Sequence, residues 1–124
     1  MADDDQDDFY LFSTVLKEEN HAVKFTWCKT CDDLLGFLKI GNDPPDLILL
    51  DMNMPVCDGQ SCLRMIREEP QLNHIPVIMF STSSSPSAIK MAYQEGAIKY
   101  IVKPHSIEEL RQIIKEMLSI LETN

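Results

Sequence analysis

Chemically able residues stand at the ends of several apolar runs. "DLILL" leads directly into Asp51, "PVIMF" into Ser81 and Thr82, and "YIV" into Lys103, which Pro104 follows. A further group, Asp3, Asp4 and Asp5, crowds the N-terminus. Brought together, these residues make an acidic cluster, a hydroxyl and an ammonium. Packed carboxylates repel one another unless a cation neutralises them. A few oxygen ligands from protein suit Mg²⁺, which keeps several of its waters. A carboxylate beside Mg²⁺ and a lysine is equipped to attack phosphorus and become an acyl phosphate. The metal and Lys103 would then offset charge on the equatorial oxygens during transfer. A solitary Asp51 could simply cap the turn after it. The polar residues at the other run ends favour the joint reading.

The elements that must carry these residues alternate in type. "DDFYLFSTVLKEEN" places Phe9, Phe12, Val15 and Leu16 at helical spacing. "VKFTWC" alternates Val23, Phe25 and Trp27 with polar neighbours and reads as a half-buried strand. "CDDLLGFLKI" turns Leu34, Leu35 and Leu38 to one side of a short helix, and "GQSCLRMIREE" is a helix stopped by Pro70. Ser85 and Pro86 open another helix, which Gly96 closes. Ser106 and Glu109 have capping-box spacing, ahead of a stripe of Ile107, Leu110, Ile114, Met117 and Leu121. "DLILL" and "PVIMF" are apolar throughout, as strands covered on both faces are. Strands alternating with helices imply right-handed crossovers, a mostly parallel sheet and an α/β/α sandwich of three layers. The residue just past the carboxyl end of a strand is where such sheets place their working groups.

Bulk properties exclude several classes. The chain has 124 residues, 44% hydrophobic and 25% charged, which suits one domain with one sizeable core. Its net charge of −9 disfavours a general grip on nucleic acid. No apolar run approaches the ~18 residues of a membrane span, so no membrane insertion is expected. The acidic start does not resemble a signal peptide. The four cysteines, at 28, 31, 57 and 62, are therefore expected to be reduced thiols in the cytoplasm.

"LILLDMNMPVCDG", "IPVIMFST" and "GAIKYIVKP", in this order and spacing, resemble the receiver domain of two-component response regulators, of the chemotaxis type. "DDDQDD" is similar to the acidic turn that follows the first strand of that family. The resemblance covers nearly the whole chain. It implies a flavodoxin-like sheet of order 2-1-3-4-5, an order for which a chemotaxis receiver already serves as a worked example. It further implies that Asp51 is the phosphoacceptor. Asp3 and Asp4 would be the acidic pair, with Asp4 a direct Mg²⁺ ligand, and Asn53 would offer its backbone carbonyl. Ser81 would hydrogen-bond one phosphoryl oxygen and Lys103 would pair with another. Ser81, Tyr100 and Pro104 match the switch positions. Tyr100 is expected to turn inward on phosphorylation, and Pro104 to follow a peptide bond that is often cis in the family. The implied partners are a histidine kinase or phosphotransfer protein and a downstream protein target. The implied activity is acceptance of phosphate with self-catalysed loss, rather than enzyme turnover. His105 stands where the family commonly has Phe, and Ile98 and Lys99 where acidic residues are frequent.

Other readings compete. "WCKTC" carries Cys28 and Cys31 in a CxxC that resembles the thioredoxin active site, but that leaves Asp51 and Lys103 without a role. A degenerate receiver that only binds partners would not need Asp51, Ser81 and Lys103 together. A phosphatase with an Asp nucleophile usually has a second Asp where this chain has Asn53.

Two expectations concern the ends. Only Glu122 to Asn124 follow the last predicted helix, so residues 1–124 are expected to be one receiver domain without an output domain. Only Met1 and Ala2 precede Asp3, whereas a strand commonly runs ~5 residues. The first strand is therefore expected to be truncated, with its place taken by upstream residues, a neighbouring chain or closure of the flanking strands.

Overall fold

Each strand sends apolar side chains to both faces, and helices cover both. The computed structural model describes residues 6–19, 26, 28, 30–40, 44–52 and 59–123. Among them, β1 (Ile48–Asp51), β2 (Val77–Ser81) and β3 (Lys99–Val102) form a parallel sheet in the order β1-β2-β3. The register aligns Asp51 with Phe80 and Ser81 with Val102. Five helices accompany it: α1 (Gln6–Glu19), α2 (Cys31–Ile40), α3 (Gly59–Glu68), α4 (Pro86–Gln94) and α5 (Ile107–Thr123).

Strand alternation sorts the core into two clusters. Ile48, Leu50, Val77, Met79 and Tyr100 pack with Leu34 and Leu38 of α2, Cys62, Leu63 and Ile66 of α3, and Ala92 of α4. Leu49, Ile78, Phe80 and Ile101 pack with Phe12, Val15 and Leu16 of α1 and with Leu110, Ile114 and Met117 of α5. The architecture is thus a parallel α/β sheet flanked by helices, as expected. The strands expected at the N-terminus and around Val23, Phe25 and Trp27 fall on residues outside the described ones, and so does the expectation of a truncated first strand.

Local chemistry sets the helix ends. Pro86 is at the first position of α4, after Ser85 as cap, and Gly96 follows that helix with φ 104°. The N–H of Glu109 donates to Ser106 Oγ at 3.1 Å, half of the expected capping box. The other half differs, because the Glu109 carboxylate accepts from the His105 N–H instead, at 3.0 Å. Thr30 caps α2, accepting from the Asp33 N–H at 3.1 Å. Ile107 does not join the core stripe of α5. It is the first residue of α5 and is 54% exposed.

At the amino ends of β2 and β3, Arg67 of α3 ties three segments together. Its guanidinium donates to the carbonyls of Asn73 (3.1 Å), Ile75 (2.8 Å) and Gly96 (2.9 Å). A Cβ on Gly96 would stand 2.8 Å from Arg67 Nε, so the staple needs a glycine there for space as well as for backbone conformation.

The cysteines depart from expectation. Cys31 and Cys62 are paired as a disulfide, with Cα atoms 5.8 Å apart, whereas Cys28 is a buried free thiol. The pairing arises because the first turn of α2 packs on the first turn of α3. It also removes the thioredoxin-like reading, since Cys31 is bonded across to α3 and not to Cys28.

Candidate functional site

The carboxyl ends of the strands bring together Asp51, Ser81 and Lys103. Asp51 closes β1 and is 1% exposed, and Ser81 closes β2 and is equally buried. Both positions follow from the sheet, because each is the next residue after an apolar strand that both helical layers cover. Lys103 follows β3, and its N–H donates to the Ser81 carbonyl at 2.6 Å. That bond extends the ladder by one step and aims the lysine back across the strand ends. Its Nζ lies 3.4 Å from Asp51 Oδ2. Phe80 forms the floor, with Lys103 Nζ 5.5 Å from its ring centre, in cation–π range. Phe12 of α1 meets that ring edge-on, with centres 6.1 Å apart. An ionised carboxylate at this depth needs a charge partner, and Lys103 supplies one.

The approach of α3 fixes the backbone beneath Asp51. The Gly59 N–H donates to the Met52 carbonyl at 3.0 Å, and a Cβ on Gly59 would stand 2.2 Å from the Asp51 carbonyl oxygen. No side chain fits there without displacing β1 or α3. Sequence analysis gave Gly59 no role. A glycine opening a helix soon after a functional strand end was the available signal for close approach.

Ser81 is linked to Tyr100 through one residue. The Ser83 N–H donates to Ser81 Oγ at 3.0 Å, and Tyr100 Oη donates to the Ser83 carbonyl at 2.8 Å. Ser81 Oγ accepts in its bond with Ser83, so its own O–H proton remains able to donate. Tyr100 is turned inward, 9% exposed. Tyr93 of α4 accepts the Tyr100 N–H at 3.1 Å, a contact with no sequence signature. The Lys103–Pro104 peptide is trans, not cis. Of the positions that depart from the family pattern, His105 and Ile98 are exposed and Lys99 pairs with Glu116 of α5.

The expected metal ligands are divided. Asp51 supplies a hard anionic oxygen of the type Mg²⁺ takes. Asp3, Asp4 and Asn53 lie outside the described residues. Among the described residues, no three His, Cys, Asp or Glu side chains gather as a metal site.

Comparison with known proteins agrees with this geometry. The family described as the response regulator receiver domain matches residues 1–115. The chain is 32% identical over 114 residues to the chemotaxis protein CheY of Pseudomonas aeruginosa, covering 90% of each. It superposes on the phosphorylated cyanobacterial phytochrome response regulator RcpA with a TM-score of 0.85 at 29% identity, covering 94% of this chain and 86% of that one. The Mn²⁺-bound response regulator Rcp1 gives a TM-score of 0.81 at 26% identity, covering 99% and 93%. This chain belongs to the receiver domain family of two-component response regulators, phosphoacceptors that relay a signal through protein contacts.

Proposed function

We propose that Asp51 is the phosphoacceptor of this receiver and that Ser81 and Lys103 complete its site. The observation that carries this reading is the burial of Asp51 at the end of β1 with the Lys103 ammonium 3.4 Å away. An oxygen of Asp51 attacks the phosphorus of a phosphohistidine donor. The P–N bond breaks, the imidazole leaves with its electron pair and takes up a proton, and an aspartyl phosphate forms. Lys103 Nζ, freed from the carboxylate oxygen that now bears phosphorus, pairs with a phosphoryl oxygen. The Ser81 hydroxyl donates to another. Both act as preplaced donors for charge that grows during transfer.

Mg²⁺ fits the carboxylate chemistry, and Asp4, Asp3 and the Asn53 carbonyl would hold it with Asp51. When bound, it supplies positive charge to the transferring group. The parallel strand order of the family, 2-1-3-4-5, would bring the acidic N-terminal turn beside β1. The observed order β1-β2-β3 is consistent with the last three places of that order.

The output runs through the loop after β2. A Ser81 drawn toward phosphate pulls the Ser83 peptide with it, and Tyr100 loses or tightens its bond to the Ser83 carbonyl. Phosphate then biases two existing arrangements of that loop and the α4–β3 surface, with Tyr100 inward in the phosphorylated one. A histidine kinase or phosphotransfer protein supplies the phosphate and a protein target reads the surface. Among the described residues, no helix is long and apolar enough to cross a membrane. A cytoplasmic location fits a partner of that kind.

The site assignment is tested by borohydride trapping. Protein phosphorylated with acetyl phosphate and Mg²⁺, then reduced, yields homoserine in place of aspartate at position 51. Homoserine at any other position, with Asp51 intact, refutes the assignment.

A further inference from the structure

We propose that Cys31 and Cys62 form a redox modification site whose state sets how firmly α3 is seated on the Asp51 backbone. The two sulfurs are joined between α2 and α3, 31 residues apart in sequence, and both side chains are buried. Their Cα separation of 5.8 Å suits a disulfide without backbone movement. Cys62 lies one turn into α3, three residues after Gly59. Gly59 is the residue whose missing side chain lets α3 lie against the Asp51 carbonyl, and its N–H holds the Met52 carbonyl at 3.0 Å. The bond therefore anchors the turn of α3 that supports the site, with α2 as its fixed point.

Cys31 is the first residue of α2, so fraying of one turn past the Thr30 cap uncovers its sulfur while α3 stays folded. Oxidation needs a two-electron acceptor such as a peroxide. Each thiol gives up one electron and one proton, the S–S bond forms, and hydrogen peroxide leaves as two waters. Reduction by a dithiol runs in reverse. A dithiol thiolate attacks the Cys31 sulfur and Cys62 leaves as a thiolate that takes a proton. The second dithiol sulfur then releases Cys31, and the dithiol departs as its cyclic disulfide. Cys28 is not the internal resolving thiol, because its burial among the same core side chains keeps it protonated.

In the bridged form the first turn of α3 is held, and phosphate uptake at Asp51 is faster. That last clause rests on the proposed phosphoacceptor role, and the first does not. The test compares full-length protein treated with peroxide or with excess dithiothreitol, alkylated under denaturing conditions and mapped by peptide mass. The expected result is a Cys31–Cys62 link in the first sample and free thiols in the second. Amide exchange over Gly59 to Leu63 should be slower in the bridged form, and its Tm higher by about 10 °C. Uptake from acetyl phosphate should be about fivefold faster in the bridged form. Cys28→Ser should keep all these differences, and Cys62→Ala should lose them. A link to Cys28 or Cys57 instead, no link after peroxide, or equal exchange over Gly59 to Leu63 in the two forms overturns the site. Equal uptake in the two forms overturns its coupling to Asp51. Should neither form take up phosphate, the phosphoacceptor reading fails while mapping and exchange still decide the bridge.

Discussion

The two ends of the sheet each hold a charged side chain, and they treat it differently. At the amino ends of β2 and β3, Arg67 donates to three backbone carbonyls at 2.8 to 3.1 Å. Those carbonyls belong to segments that leave helices and enter strands, where intrahelical partners have run out. At the carboxyl ends, Asp51 faces Lys103 at 3.4 Å, longer than a tight charge-assisted hydrogen bond of about 2.8 Å. One end uses its charge to close the structure. The other keeps a cation near a carboxylate at a distance from which both can still rearrange. Stability and chemistry are therefore expected to separate along the strand axis.

The largest contrast comes from changing one charge at each end. Asp51→Asn should abolish phosphate uptake and leave Tm unchanged or raised, since it removes a buried ion without creating a cavity. Arg67→Met should leave uptake within about twofold and cost ~1–3 kcal/mol in denaturant unfolding, because two partly buried carbonyls and one exposed carbonyl lose their donors. If Arg67→Met abolished uptake at unchanged stability, the division between the ends would be wrong. Lys103→Ala comes next, with uptake slowed about 100-fold in a stopped-time phosphodonor assay, the scale for losing a preplaced charge-stabilising donor.

The two glycines sharpen the same contrast. Gly59→Ala puts a methyl against the Asp51 carbonyl, so uptake should fall by at least about tenfold along with a loss of ~1–3 kcal/mol. Gly96→Ala, strained at φ 104° and pressed on Arg67, should cost ~1–2 kcal/mol while uptake is preserved.

The smallest effect is one of pH. The Arg64 hydrogen bond to Glu95 holds that carboxyl below its ordinary value of 4.5. A depressed folded-state pKa contributes stability that is complete above the unfolded value and disappears as pH falls through the folded one. Glu95→Gln should therefore lower Tm slightly near neutrality and flatten the acid side of the Tm–pH curve, so that the two proteins converge below about pH 4.5. The pair is exposed, so solvent screens most of its worth.

What the sequence made legible was local. Asp51 and Ser81 were identifiable because a strand apolar on both faces leaves its first polar residue at the working end, and the helices because their caps and stripes are short-range. Phe12, Leu110 and Ile114 were found for the same reason. The contacts that escaped join elements distant in sequence. Arg67 targets backbone carbonyls, which any residue type supplies. The pairing of Cys31 with Cys62 depends on how α2 and α3 cross, not on the spacing of "CKTC". The hydrogen bond made by Tyr100 depends on where the Ser83 carbonyl turns. Thr30 is a different matter: a threonine with Asp33 three residues on was a readable cap.

The most direct test of the central claim is intact mass after incubation with acetyl phosphate, with and without Mg²⁺, for the wild type and Asp51→Asn. The wild type should gain one phosphoryl group with Mg²⁺ and none without it, and Asp51→Asn should gain none under either condition. A phosphoryl group that persists on Asp51→Asn, or a wild type that takes up none, contradicts it.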